Sequence, residues 1–184
     1  MKLEETQLSR KTIYDGKVLK VVCDEVLLPD GVQSVREFCI HVGAVCVLPL
    51  LADGRVVMER QFRYPHNRVF LEIPAGKLNF RGEDILSAAS RELREETGAV
   101  AGKMTYLGAI DTSPALIDEK IHLYLAEELT FTERELDDDE FLDVDLIPLG
   151  ELYKMVMSGE IADAKTQIAV LKVCALKPDL VDKL

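Results

Sequence analysis

Three glutamates near the end of one segment, Glu92, Glu95 and Glu96, have the type and spacing that could do chemistry. Residues 84–97 show helical periodicity. At about 100° per residue, Glu92 and Glu96 fall among the apolar side chains, with Glu95 at the edge of that arc. Solvated charges normally lie opposite the apolar stripe. Buried carboxylates are costly unless they are paired or bind metal, and hard divalent cations prefer carboxylate oxygens. The spacing therefore indicates a divalent-cation site.

Two simpler explanations of this pattern stay open on the helix alone. The last two turns of the helix could project from the core, which would leave the glutamates in solvent. The glutamates could also pair with Arg91 and Arg94, the two arginines of the same segment. For an arbitrary helix these explanations would be favoured, so the flanking residues decide the interpretation.

The flanking residues extend the pattern beyond a single helix. Gly76 and Glu83 precede the block R-E-L-R-E-E-T-G-A at 91–99, and seven residues separate Glu83 from that block. The arrangement resembles the Nudix box, which is a glycine, five residues, a glutamate, seven residues and R-E-U-x-E-E-x-G-U with U apolar. One departure is that six residues separate Gly76 from Glu83. Loops tolerate insertions, so the extra residue affects the loop path more than the helix.

Further segments resemble the branch of the Nudix family that cleaves ADP-ribose. They are R-Q-F-R-Y at 60–64, L-E-I-P-A-G at 71–76, Pro114, D-E-K-I-H-L-Y at 118–124 and D-E-F-L-D-V at 139–144. The resemblance implies Mg²⁺-dependent hydrolysis of the diphosphate bond of ADP-ribose, giving AMP and ribose 5-phosphate, with Mn²⁺ as a substitute ion. A related nucleoside-diphosphate sugar is a second possible substrate. The alternative of another class is a protein that binds ADP-ribose without cleaving it, and the complete set of box glutamates disfavours it.

The resemblance also assigns roles to residues of the box and its surroundings. The implied metal ligands are the backbone carbonyl of Ala75 and the side chains of Glu92 and Glu96. Glu95 is implied as a third ligand or as a catalytic group that supports the other two. Arg91 is expected to orient the glutamates, although a simple surface pair with Glu95 at i+4 explains it equally well.

An acidic run at 137–140 is implied to complete the catalytic site. Glu140 is expected as a metal ligand and catalytic residue, and Asp138 as the general base that takes a proton from water. A solvated acidic loop is the simpler explanation of the same run.

Four residues are expected to bind the substrate. Arg63 is expected to hold a phosphate or ribose, and Glu72 to bind ribose hydroxyls or pair with Arg63. Arg36 could reach a base or phosphate across a dimer, and Pro114 matches a proline of the branch. For the charged residues, an ordinary ion pair on a strand face is the alternative.

These residues need a scaffold of strands and helices. Strand patterns occur at 18–28, 35–42, 44–51, 55–62, 69–73, 104–110, 121–126 and 141–147, and helix patterns at 84–97, 149–157 and 161–176. This mixture predicts an α/β (α+β) fold. The resemblance implies the Nudix α/β/α sandwich with a mixed sheet over residues 43–184. It also implies an N-terminal β-hairpin arm over residues 1–42 that is exchanged or packs across the subunits of a homodimer. An ordinary hairpin that stays on its own subunit is the alternative.

The overall charge restricts the partners. The chain has 184 residues, with 22 Lys and Arg against 33 Asp and Glu, and a formal net charge of −11. Such a surface repels nucleic acid and anionic membranes, which disfavours a nucleic-acid-processing enzyme. A small nucleoside diphosphate can still bind where a metal ion supplies positive charge. Four cysteines without a C-x-x-C pair, and an N-terminus without an apolar signal segment, indicate a cytoplasmic protein.

Overall fold

The computed structural model describes residues 2–136 and 140–181, which form ten β-strands and three α-helices. The strands are β1 (Thr6–Asp15), β2 (Lys20–Leu27), β3 (Gln33–Ile40), β4 (Ala44–Pro49), β5 (Arg55–Arg63), β6 (Arg68–Glu72), β7 (Ala75–Lys77), β8 (Ala99–Asp111), β9 (Lys120–Phe131) and β10 (Leu142–Pro148). The helices are α1 (Ile85–Thr97), α2 (Leu149–Ser158) and α3 (Ala164–Leu176). No helix of these described ranges is long and apolar enough to cross a membrane.

The strands form three sheets. The central sheet has the order β7-β4-β9-β8 and is mixed, because β4 and β9 run parallel while the other neighbours are antiparallel. A second, antiparallel sheet has the order β10-β5-β6. The N-terminal strands form a third antiparallel sheet in the order β1-β2-β3. The predicted α/β class with a mixed sheet is confirmed.

Strand β4 is the centre of the layered core, since all six of its residues are buried. Val45 and Val47 pack in the cluster that includes Leu93 of α1. Cys46 and Leu48 point the opposite way, into the cluster with α2 and α3. Alternate residues of a strand face opposite sides of its sheet, so this one strand joins both helical layers of the α/β/α sandwich.

Helix α1 follows its predicted boundaries closely. Asp84 caps the N-terminus, where its carboxylate accepts a hydrogen bond of 2.8 Å from the Ser87 amide. Gly98 ends the helix with a φ of 73°, a left-handed conformation that glycine adopts without strain. The rest of the chain is thereby turned directly into β8 behind the helix.

The N-terminal region contains more structure than the predicted hairpin. The two predicted strands are present as β2 and β3, and Thr6–Asp15 adds a third strand along β2. All ten residues of β1 are exposed, so the strand carries no alternation of apolar and polar residues that could reveal it. Its order comes from backbone pairing and from the paired charges of Arg10 and Asp24, at 2.7 Å.

Other differences concern element boundaries. Strands β8 and β9 extend well beyond the predicted 104–110 and 121–126, because they continue as a long antiparallel pair outside the apolar segments. Helix α3 starts at Ala164, where Asp163 caps it, and so three residues later than predicted.

Candidate active site

A cleft of about 650 Å³ opens beside the C-terminal half of α1. Its walls come from several elements of the central and second sheets, from α1 and from the start of α3. The charged and polar residues of its inner wall include Gln61, Arg63, Arg91, Glu92, Glu95, Glu96, Glu140 and Lys165. The fold therefore brings residues that are distant in sequence to a single surface.

The two glutamates predicted to be buried on α1 are buried. Glu92 is 8% exposed and Glu96 is 4% exposed. The Glu96 carboxylate accepts a hydrogen bond of 2.9 Å from the amide of Ala75. This contact places the Ala75 peptide against the end of α1, so the Ala75 carbonyl and Glu96 belong to the same region, as the metal-site prediction requires. The alternative in which the end of the helix projects into solvent is excluded.

Arg91 links the glutamates of the box. Its guanidinium lies 2.8 Å from Glu92 and 3.1 Å from Glu95, and 3.9 Å from Glu83. One cation therefore sets the positions of three carboxylates. The pairing with Glu95 also exists, so the two explanations offered for Arg91 describe parts of one arrangement.

Glu83 organises the loop that carries the extra residue. Its carboxylate accepts hydrogen bonds from the Asn79 amide, at 2.6 Å, and from the Asn79 side chain, at 3.1 Å. Arg81 of the same loop donates to the carbonyl of His41 and to Asp118. The longer loop is thus fixed at both its start and its tip, and helix α1 keeps its place.

Gly76 provides the space that Glu92 needs. A Cβ added at position 76 would overlap the Glu92 carboxylate. The glycine of the box is therefore required by close packing against the first predicted ligand, while its own φ is not in the left-handed range.

Electrostatics in the cleft show an excess of negative charge. Burial raises the pKa of Glu96, and the neighbouring carboxylates of Glu59 and Glu92 raise it further. Burial likewise raises the pKa of Glu59, and Glu72 adds to the effect. The pKa of Glu92 is also raised by burial, although Arg91 opposes the shift. A cation close to carboxyls with raised pKa values stabilises their ionised form and lowers those pKa values.

The donor set fits a hard divalent cation. Among residues 2–136 and 140–181, no three His, Cys, Asp or Glu side chains converge on a metal position as they stand. The acidic side chains Glu92, Glu95, Glu96 and Glu140 nevertheless supply oxygen donors to the cleft, and one buried carboxylate oxygen, Oε1 of Glu59, lacks a hydrogen-bond partner within the described residues. Arg91 already acts as a counter-ion to the carboxylates of Glu92 and Glu95. Oxygen-rich sites with spare negative charge suit Mg²⁺ or Mn²⁺.

The raised carboxyl pKa values predict how metal removal changes stability. A carboxyl that keeps its proton in the fold but ionises in the unfolded chain makes the free energy of unfolding fall as pH rises. Between about pH 6.5 and pH 8.5, the metal-free protein is expected to lose up to about 1.4 kcal/mol per pH unit for each such proton. Excess Mg²⁺ should flatten this slope, because it favours the ionised form.

Thermal unfolding in EDTA and in Mg²⁺ across that pH range measures the effect. The slopes are compared above about pH 7.5, where His122 is mostly neutral in both states, because its ordinary pKa is about 6.5 and burial lowers its pKa in the fold. Glu96→Gln is the matched variant and should show a shallower slope in EDTA. Equal slopes with and without Mg²⁺ would contradict the electrostatic account of the cleft.

Arg63 lines the cleft and is held by the buried carboxylate of Glu72. Arg63 donates two hydrogen bonds of 2.8 Å to the two oxygens of Glu72, the geometry of a bidentate pair. Lys165 of α3 contacts the same carboxylate and lies 3.1 Å from Asp163. Burial acts to raise the pKa of Glu72, but these two cations outweigh it and hold that pKa below its usual range. Arg63 is thereby fixed with its guanidinium in the cleft wall.

Two charged residues were not predicted from the sequence: Lys165, which lines the cleft, and Glu59, which is buried on β5. Lys165 lies at the start of a largely apolar helix and is buried because it compensates Glu72. Glu59 lies within an apolar strand and is buried too. The sequence could have indicated Glu59, because it lies two residues before Gln61 and four before Arg63 and therefore shares their face of the strand.

The remaining predicted site residues differ in whether they line the cleft. Glu140 lines the cleft, whereas Asp138 lies outside the described residues. Arg36, on β3, donates a hydrogen bond of 2.6 Å to Glu5. Pro114 is exposed in the connection between β8 and β9. Neither Arg36 nor Pro114 lines the cleft that the described part of this chain forms, so a role for them in substrate binding stays a prediction.

Comparison with known proteins identifies the family. Residues 40–167 match the NUDIX domain, and residues 5–38 match the nucleoside diphosphate sugar hydrolase N-terminal domain. The first match covers more than half of the chain and includes the whole box. The chain therefore belongs to the Nudix hydrolase family, and it is an enzyme of that family. Nudix hydrolases generally use divalent metal ions.

Individual relatives align along nearly the whole length. An ADP-ribose pyrophosphatase of Bacillus subtilis is 46% identical over 91% of this chain and 91% of its own. A methanol dehydrogenase activator of Bacillus methanolicus is 42% identical, with the same coverage of both chains. An ADP-ribose pyrophosphatase of Mycobacterium tuberculosis is 33% identical over 92% of this chain and 83% of its own. A crystal structure of an ADP compounds hydrolase has the same fold, with a TM-score of 0.84 at 23% identity and 97% coverage of each chain.

Proposed function

We propose that this enzyme hydrolyses the diphosphate bond of ADP-ribose, giving AMP and ribose 5-phosphate, and that Mg²⁺ is its metal ion. The observation that carries the proposal is that three box carboxylates, Glu92, Glu95 and Glu96, line one cleft together with Arg63, which Glu72 holds in place. Relatives that are 46% and 33% identical over most of their length are ADP-ribose pyrophosphatases, which supports this substrate. A related nucleoside-diphosphate sugar is the second candidate substrate.

The metal would be held by oxygen donors near the end of α1. We infer that Glu92, Glu96 and the Ala75 carbonyl hold it, with Glu95 and Glu140 close by as further ligands or catalytic groups. When bound, such an ion neutralises phosphate charge and lowers the pKa of a water molecule. This explains how a protein with a net charge of −11 can accept an anionic substrate.

The residues of the chain then divide the remaining tasks. Arg63 is positioned to bind a phosphate or ribose oxygen, and its orientation depends on Glu72 and Lys165. Arg91 keeps Glu92 and Glu95 aligned. We propose a carboxylate of the segment 138–140 as general base, with Asp138 the first candidate.

A non-hydrolytic binding protein is disfavoured by the same arrangement. A protein that only binds its ligand has no need for a group of buried carboxylates that repel one another and the phosphates. The free energy cost of burying Glu92 and Glu96 is explained when the site performs hydrolysis.

A hydrolysis panel tests the proposed reaction. The protein is incubated with Mg²⁺ and ADP-ribose, ADP-glucose, GDP-mannose, NADH or diadenosine polyphosphates, and products are separated by chromatography. Rapid release of AMP from ADP-ribose is expected, and the ranking of rates identifies the preferred substrate. Absence of turnover for every compound, together with measurable ADP-ribose affinity, would instead establish a binding protein.

The substitution Gly76→Ala is expected to lower kcat for ADP-ribose about 100-fold, which is the usual cost of displacing a catalytic group by about 1 Å. The new Cβ would overlap the Glu92 carboxylate and force it out of position. Steady-state kinetics measure the loss, and circular dichroism checks that α1 is retained. A variant with wild-type kcat would show that Glu92 can shift without consequence, which would remove it from the ligand set.

We also propose that two chains associate through the N-terminal region and exchange residues 1–42. Strand β1 exposes Leu8, Ile13 and Tyr14, and apolar side chains on an exposed strand are suited to contact with a partner. An exchanged arm could bring Arg36 to the cleft of the second chain. Light scattering should give twice the chain mass of 20.6 kDa, and removal of residues 1–42 should leave a monomer.

The cellular setting follows from composition and thiol chemistry. We infer a cytoplasmic enzyme, since Cys23, Cys39, Cys46 and Cys174 are all free thiols, as a reducing compartment maintains them. Its partner is a small nucleoside diphosphate, because the charge of −11 is unfavourable for nucleic acid or an anionic membrane.

A further inference from the structure

Glu59 is a buried carboxylate that lies outside the Nudix box and has no role in the site described so far. It is 3% exposed, and its Oε1 atom has no hydrogen-bond partner among the described residues. A buried carboxylate oxygen in this state costs free energy and requires an explanation. Neighbouring strand residues do not supply one, since the residue opposite it on β6 is another acid, Glu72.

The position of Glu59 directs it towards the cleft. It lies on β5 two residues before Gln61 and four before Arg63, and both of those side chains line the cleft. Alternate residues of a strand share one face, so Glu59 is on the cleft side, one step deeper. Of the charges around Glu96, that of Glu59 has the largest effect on the Glu96 carboxyl. The two carboxyls are therefore close enough for the charge of Glu59 to raise the pKa of Glu96.

Nearby cations are already engaged elsewhere. Arg63 gives two hydrogen bonds to Glu72, and Lys165 contacts Glu72 and Asp163. Both cations act on Glu59 through space, yet neither donates a hydrogen bond to its Oε1 atom. The Oε1 atom of Glu59 is thus left without a hydrogen-bond donor among the described residues while Glu72 and Glu96 add negative charge near it, and such an environment favours a cation.

We propose that Glu59 is an additional oxygen ligand of the divalent cation, which it binds together with Glu96. The inference rests on the proposed Mg²⁺ site and extends it with a residue that no motif contains. A ligand on β5 differs from those on α1 in that it comes from the second sheet, so the cation joins the two sheets. A role as metal ligand also explains why the unpaired carboxylate of Glu59 is retained in the core. Glu59 would destabilise the metal-free protein and stabilise the metal-bound protein.

The test measures cation binding without reference to turnover. Isothermal titration of the full-length, metal-free protein with Mn²⁺, and separately with Mg²⁺, gives Kd for wild type and for Glu59→Gln. The variant is expected to bind Mn²⁺ about 10- to 100-fold more weakly, a typical loss for groups that support a metal site. Glu151→Gln, which changes an exposed glutamate of α2, is the matched control and should leave Kd unchanged.

Thermal unfolding distinguishes a ligand from a packing residue. In EDTA, Glu59→Gln is expected to unfold at a higher temperature than wild type, because the amide keeps the shape of the side chain and removes the free energy cost of burying a group that is ionised in the unfolded chain. In saturating Mn²⁺ it should gain less stability than wild type does. A variant that is less stable than wild type in EDTA would assign Glu59 a packing role and overturn the proposal, as would an unchanged Kd.

Glu96→Gln separates this proposal from the one on which it rests. If wild type binds Mn²⁺ and Glu96→Gln does not, the metal site is established. The Kd of Glu59→Gln then tests only whether Glu59 is an additional ligand. If wild type itself fails to bind Mn²⁺ or Mg²⁺, both the proposed metal site and the role of Glu59 are wrong. Glu59→Val serves as a second variant, since an apolar side chain of smaller size should reproduce the loss of affinity.

Discussion

Replacement of Glu96 by glutamine is expected to lower the rate of ADP-ribose hydrolysis by at least about 1,000-fold while the fold is retained. Loss of an anionic ligand removes several kcal/mol of metal-dependent stabilisation, and each 1.4 kcal/mol corresponds to a factor of ten in rate. The glutamine carbonyl can still accept the 2.9 Å hydrogen bond from the Ala75 amide. The local structure of β7 and α1 is therefore preserved.

The effect is measured by AMP release under saturating ADP-ribose and Mg²⁺. Glu151→Gln carries the same chemical change on an exposed surface of α2 and should keep wild-type activity. Unfolding temperature in EDTA should be equal to or above that of wild type, because the amide avoids the cost of burying a carboxyl that is ionised in the unfolded chain. Activity within tenfold of wild type would show that Glu96 is not a metal ligand.

Replacement of Arg63 by alanine is expected to raise KM for ADP-ribose by about 10- to 100-fold with a smaller change in kcat. Hydrogen bonds to charged groups contribute about 1.5–3 kcal/mol, which corresponds to this range. Glu72 would lose its bidentate partner, but Lys165 still contacts it and limits the destabilisation. The main loss is therefore in substrate binding.

Steady-state kinetics over a range of ADP-ribose concentrations separate KM from kcat. Arg68→Ala is the matched control, because Arg68 pairs with Arg63 in the strand register but does not line the cleft formed by the described residues. An unchanged KM in Arg63→Ala, with reduced stability, would limit Arg63 to the structural pair with Glu72.

Helix α1 and its buried glutamates are predictable from sequence because a helix repeats with a fixed period. Asp84 and Gly98 mark its ends, and the apolar positions define the side on which Glu92 and Glu96 must lie. Strand β4 is predictable for the same reason, as six consecutive buried residues form an apolar run. Local pattern and tertiary position agree in these elements.

Features that depend on distant partners are not predictable in this way. Strand β1 exposes all its residues and exists through pairing with β2, so no local pattern marks it. Lys165 is buried because Glu72, far away in sequence, needs a counter-charge. Glu59 becomes informative only when Glu96 and Glu72 are placed beside it in space. Pairing across the fold, which one sequence does not display, determines these positions.

The guanidinium of Arg91, placed against Glu92 and Glu95, has a consequence for ion selectivity. The guanidinium already supplies one positive charge to these carboxylates. A potassium or sodium ion therefore enters a cluster whose negative charge is partly balanced, and its gain in electrostatic free energy is small. A divalent ion brings one additional charge, and the gain grows in a buried environment. The enzyme can therefore discriminate by valence, and abundant monovalent ions are poor competitors for its site.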